Sequence, residues 1–110
     1  LWKIRGYKDV RDGGRRISGI KRDLVCNGPI VSCAYYHWDP GRSHCILIVG
    51  WNATSDIWII KNSWGTGWVA QEGATPIGNG FGTIPYDHGW TRTEWWEVCE
   101  KWYPYGVYKD

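Results

Sequence analysis

The segment SHCILIVGWNATSDIWIIKNSWGTGW, Ser43 to Trp68, constrains the fold more than any other part of this chain. It holds two runs rich in β-branched residues and Trp, HCILIVGW and IWIIKNSW, with the polar stretch NATSD between them. Branching at Cβ suits a pleated strand, and a short polar break between two such runs makes a hairpin. Apolar residues stand at odd and even positions alike. Side chains alternate across a strand, so both faces of the hairpin are apolar and each needs a cover.

The flanking sequence supplies one helix and more strands. LWKIRGYKDV reads as a strand, with Trp2, Ile4 and Gly6 on one side and Lys3 and Arg5 on the other. RDGG then turns the chain. In RRISGIKRDLVCNG, Ile17, Ile20, Leu24 and Val25 recur at helical spacing, and Asn27-Gly28-Pro29 ends the helix. IVSCAYY is β-prone and DPGR reads as a turn. EGATPIGNGFGTIP, full of Gly and Pro, reads as loops with short strands. The aromatic tail TEWWEVCEKWYPYGVYKD holds at most one helical turn before Pro104. The fold class is α+β: a small antiparallel sheet with one short helix.

At 110 residues the chain suits one domain with a modest core. Ten Trp and seven Tyr exceed what such a core takes, so some belong to an interface. Trp95 and Trp96, adjacent on a strand, cannot both face inward. The formal charge is only +2. Asp12 and Asp23 interrupt the basic cluster RDGGRRISGIKRD, which reads as a solvated helix face and not a nucleic-acid patch. No run is long and apolar enough to span a membrane. The start has neither an initiator Met nor the apolar middle of a signal peptide, so a processed product or a fragment is expected. Cys26, Cys33, Cys45 and Cys99 lack the close spacing of zinc or redox motifs. They admit two disulfides in any of three pairings, or four buried thiols. Asn52-Ala53-Thr54 is a glycosylation sequon in the hairpin loop and points toward the secretory route. No metal or other cofactor is implied.

Two polar residues interrupt the hairpin. If its strands pair about Ala53 and Thr54, positions summing to about 106–108 lie opposite one another. His44 then faces Asn62 or Trp64, or sits diagonal to one of them. All three are even-numbered and share a face, provided no bulge shifts the register. An amide oxygen accepting the imidazole N–H fixes tautomer and orientation without adding charge, and an indole beside it excludes water. Such a pair suits thiolate–imidazolium chemistry and lacks only the nucleophile. Cys45 points to the opposite face, Cys26 and Cys99 lack an activating environment, and nothing activates Cys33. His37 and His88 read as surface or loop residues.

SHCILIVGW resembles the histidine segment of papain-like cysteine proteases, and WIIKNSWGTGW resembles their asparagine segment. Their order, with a loop between, strengthens the match. More loosely, KIRGYKDV, the helix, NGPI and GNGFGTIP extend it over residues 3 to 84, although Phe81 stands where a Cys is common. The resemblance implies the half-barrel C-terminal domain of that family over residues 1–85, with residues 86–110 as an aromatic extension packed on it. It implies His44 as general base and acid, Asn62 as its orienting partner, Trp64 as the shield and Trp68 on the leaving-group side of the cleft. In that family the Cys lies near the mature N-terminus with His and Asn roughly 130–150 residues downstream. Only 43 residues precede His44, so the Cys and the oxyanion glutamine belong to a heavy chain or N-terminal domain.

This chain alone is then inert, a light-chain-like half of a secreted, lysosomal or vacuolar endopeptidase acting on peptide or protein substrates. The alternative is a non-catalytic relative kept for binding or structure. VAQEGA after Trp68, and the shortened stretch before His44, depart from the family pattern and favour that alternative. A stand-alone binding module that matches both motifs by coincidence is the weakest reading.

Overall fold

The computed structural model describes residues 1–10, 16–36, 39–71, 73–91 and 98–109. The elements are β1 (Trp2–Lys3), β2 (Gly6–Asp9), α1 (Ile17–Asn27), β3 (Ile30–Tyr36), β4 (Asp39–Asn52), β5 (Ile57–Lys61), β6 (Thr75–Gly78), β7 (Phe81–Pro85), β8 (Val98–Tyr105) and β9 (Tyr108–Lys109). Seven strands form one sheet in the order β2-β8-β3-β4-β5-β7-β6, and β1 pairs with β9. Each pairing is antiparallel. The α+β class is as the sequence indicates.

Several local expectations change. LWKIRGYKDV is two strands, because its partner bends at Gly106 (φ 63°) between β8 and β9. At the break Arg5 N–H donates to the carbonyls of Tyr105 and Gly106 at 3.1 and 3.2 Å. DPGR is not a turn. Tyr36 pairs with Asp39, and the excess residues are taken up as an irregularity before the Tyr35–Ser43 pair. Most of the tail that can be described is strand, since β8 adds to β3 on one side and β2 on the other. The RDGG turn, His37, Trp95 and Trp96 lie outside the described residues.

Helix α1 ends as its sequence dictates. Gly28 takes φ 88° and returns its N–H to the Leu24 carbonyl at 3.0 Å. Its buried stripe is Ile20, Asp23 and Leu24, whereas Val25 is 75 % exposed. Asp23 accepts a bond from Asn27 Nδ2 one turn later, at 3.1 Å. Arg16 and Arg22 are exposed and Lys21 is half-exposed, lying over the rings of Trp51 and Tyr86.

The core occupies one face of the sheet. Ile30, Ile46, Ile48, Trp58, Ile60 and Ile84 are buried there, against Ile20 and Leu24 of the helix. The opposite face is less covered than the sequence suggests. Among the described residues Val31, Leu47, Ile57 and Ile59 are only half-buried. Near its edge Ile4, Tyr7, Val31, Trp102, Tyr103 and Pro104 line an apolar groove of about 560 Å³.

Cys33 and Cys45 are directly paired across β3 and β4 and form a disulfide. This selects one bridge from the alternatives. Cys26 is a free, exposed thiol, which excludes four buried thiols, and the Cys99 side chain lies outside the described residues. The bridge spans a sequence separation of 12. Closing a loop of that length restricts the unfolded chain by about 3 kcal/mol. Urea unfolding of a Cys33→Ser/Cys45→Ser double variant is therefore expected to show a loss of that order. An unchanged midpoint would rule it out.

Candidate functional site

The His44–Asn62 juxtaposition depends on one extra residue. Beside the loop, Asn52 pairs with Ile57 and Trp51 with Trp58, so paired positions sum to 109. Continued unbroken, that register puts His44 and Asn62 on opposite faces. A bulge at Val49 intervenes, and beyond it Ile48 pairs with Ile60 and Leu47 with Lys61, summing to 108. His44 thereby joins the face of Ile46, Ile48 and Ile60, with Ala34 directly opposite it on β3.

Asn62 follows the last residue of β5 and is 3 % exposed. The next hairpin holds its backbone. Asn79 (φ 56°) and Gly80 (φ 85°) make the two-residue connection between β6 and β7, with the positive φ pair of a type I′ turn. That turn aims the Gly80 carbonyl at two donors, Asn62 N–H at 2.9 Å and Trp68 Nε1–H at 3.1 Å.

Asn62 Oδ1 lies 2.9 Å from His44 Nε2 and 2.7 Å from the backbone nitrogen of Ser63. A backbone N–H only donates, so the Asn62 atom that meets it is the amide oxygen. His44 Nε2 must then carry the proton it shares with Asn62. In the neutral ring, the proton-accepting nitrogen is consequently Nδ1. Asn62 Nδ2 is buried and finds no acceptor among the described residues.

Aromatic rings wall the pair. Trp64 stacks on His44 with centroids 4.3 Å apart and planes at 28°, and is itself 43 % exposed. Trp68 is a core residue, 7 % exposed, meeting Trp64 edge-on at 6.1 Å. It is thus the more buried of the two rings. It packs against β7 because position 82 is glycine; a Cβ there would come within 2.5 Å of the indole and 2.8 Å of the Thr75 carbonyl. The third ring, Trp90, lies 4.5 Å from His44 and is 2 % exposed. No spacing or motif in the chain singles it out. The available signal was Ser32, a polar residue on a buried strand face, whose hydroxyl donates to the Trp90 carbonyl at 2.8 Å. His88 does lie in a loop, but its Nδ1 accepts the Trp90 N–H at 3.1 Å.

The remaining candidates lie apart. Cys45 points away from His44 and is bridged to Cys33, so neither is a thiol nucleophile. Asn52 is exposed at the end of β4, with its Oδ1 accepting Thr54 N–H at 3.0 Å. No helix among the described residues is long and apolar enough to cross a membrane.

The described residues thus form an antiparallel sheet with one helix, presenting an imidazole hydrogen-bonded to a buried carboxamide beside a Trp. Residues 2–80 match the model of the papain family cysteine proteases, and the chain belongs to that family. A cysteine protease of Blomia tropicalis is 46 % identical to it over 44 residues, which are 38 % of this chain and 13 % of that protein. A solved chain from work on the limited antibody cross reactivity between the mite allergens Blo t 1 and Der p 1 shares the fold, with a TM-score of 0.61 at 20 % identity. That match covers 94 % of this chain and 35 % of the other, so it takes in most of the stretch after Tyr86. The chain thus spans about a third or less of the length of these relatives.

Proposed function

We propose that this chain is the His/Asn-bearing half of a papain-like cysteine peptidase, completed by a Cys thiolate and an oxyanion donor on another chain or domain. The observation that carries the reading is the hydrogen bond from His44 Nε2–H to Asn62 Oδ1, which makes Nδ1 the nitrogen that exchanges a proton with sulfur. The thiolate attacks the scissile carbonyl carbon while His44 is imidazolium. Nδ1 then gives its proton to the departing amine, leaving a thioester. Water adds to the thioester after passing a proton to Nδ1, and the acid product leaves as the thiolate–imidazolium pair is restored. Trp64 shields the Nε2–Asn62 bond from water, and Trp68 supports Trp64 edge-on.

Asn62 Nδ2, buried without an acceptor among the described residues, supports completion of the site by another body. Residues 1–85 form the His/Asn domain in this reading and 86–110 its extension. The disulfide and the Asn52 sequon support a secreted or lysosomal setting with a glycan at Asn52. A non-catalytic, binding role is the second reading, favoured by the VAQEGA departure after Trp68.

An epoxysuccinyl peptide probe applied to the native assembly separates the two. The labelled residue is expected to be a Cys outside residues 1–110, with labelling unchanged by Cys26→Ser. An assembly whose intact mass includes no Cys-bearing papain-like domain, and which takes no label, would support the binding role instead.

A further inference from the structure

We propose that Trp90 is a positioning residue that holds the His44 ring in the orientation in which Nε2–H meets Asn62. The inference rests on reading His44 as the proton carrier. Trp64 and Trp90 touch the imidazole from different directions. The centroids of His44, Trp64 and Trp90 form a triangle with sides of 4.3, 4.5 and 5.5 Å. Trp90 therefore does not cover the far face of the ring but stands at its side. The stack on Trp64 limits tilting out of the ring plane, and Trp90 blocks the swing that would carry Nε2 away from Asn62.

Trp90 is itself fixed. Its carbonyl accepts the Ser32 hydroxyl at 2.8 Å, and Ser32 is fully buried on β3, two residues from Ala34, which faces His44. Its N–H is held by His88 Nδ1 at 3.1 Å, and the two rings meet at 4.6 Å. Thr91 N–H returns to the His88 carbonyl at 3.0 Å. A half-exposed stacking partner alone is a weak constraint, because Trp64 is 43 % exposed; a nearly inaccessible indole anchored at both backbone groups is a strong one.

The test is NMR of the ¹⁵N-histidine-labelled protein, with any partner thiol blocked as a methyl disulfide so that no thiolate–imidazolium pair forms and the ring has a tautomer to read. In the parent, His44 is expected to show one tautomer with a protected Nε2–H, and cross-relaxation to the ring protons of both Trp64 and Trp90. Trp90→Leu should make Nε2–H exchange roughly tenfold faster or more, through local opening, and mix the tautomers. Trp90→Phe should restore most of the protection. Ile84→Val, which loosens the core away from His44, should leave both readouts unmoved. Unchanged exchange and tautomer in a folded Trp90→Leu protein would overturn the proposal, as would equal loss in Ile84→Val. If Trp90→Leu does not fold, absence of His44–Trp90 cross-relaxation in the parent overturns it. The readout is the ring and not hydrolysis. An inactive assembly with a fixed ring removes the peptidase reading alone, and an active one with a mobile ring removes this proposal alone.

Discussion

Replacing His44 by Ala in the assembled peptidase is expected to lower kcat/KM on a peptide substrate by about 10²–10⁴-fold, the range for losing a general acid–base group. The expectation follows from the tautomer. With Ser63 N–H and His44 Nε2–H both donating to Asn62 Oδ1, Nδ1 is the ring atom that, in the proposed peptidase, would trade protons with the sulfur. Alanine leaves the thiol without that base and the departing amine without its acid. Asn62→Ala should cost less. It removes a hydrogen bond of about 1–3 kcal/mol in a buried setting, or roughly ten- to a hundredfold in rate, and keeps the imidazole. Steady-state kinetics on the purified variants, with labelling to count active sites, gives both numbers. Full activity in His44→Ala would end the peptidase reading.

For stability the largest effect is expected at Trp58. Its side chain is fully buried on β5, between the pairing strands β4 and β7, with the Tyr86 ring 4.6 Å away. Trp58→Ala should cost about 3–5 kcal/mol, against a total of about 5–15 kcal/mol for a typical domain. Trp58→Phe should cost much less than its lost volume suggests. Trp58 Nε1–H is buried without an acceptor among the described residues, and phenylalanine removes that unsatisfied donor with the ring it belongs to. Urea unfolding of both variants checks the pair. A parent-like midpoint for Trp58→Ala would mean that this side of the core contributes little.

Where the chain repeats a strong local pattern, the fold is readable from the residues. Two β-branched runs and NATSD specify the central hairpin, and Asn27-Gly28 stops the helix where expected. The His44–Asn62 pairing is legible from parity, but the molecule reaches it by a longer route. A register centred on the loop as it folds would have separated the two residues, and the Val49 bulge reunites them. Nothing local in ILIVGW announces which residue will be extra, because the choice is made by pairing with β5 and packing beneath it. The DPGR turn failed for a related reason, since Asp39 already pairs back to Tyr36 of β3 and the residues after it are absorbed as an irregularity within β4. Trp90 is the clearest omission. It is brought to His44 by tertiary contacts with Ser32, and no spacing along the chain records such a contact.

The Gly80 carbonyl oxygen holds the Asn62 backbone with one lone pair and the Trp68 indole with the other. One atom is thus the common reference for the carboxamide and for the ring packed against its cover. A shift of that tip of the β6–β7 hairpin therefore draws the Asn62 backbone and the Trp68 indole the same way.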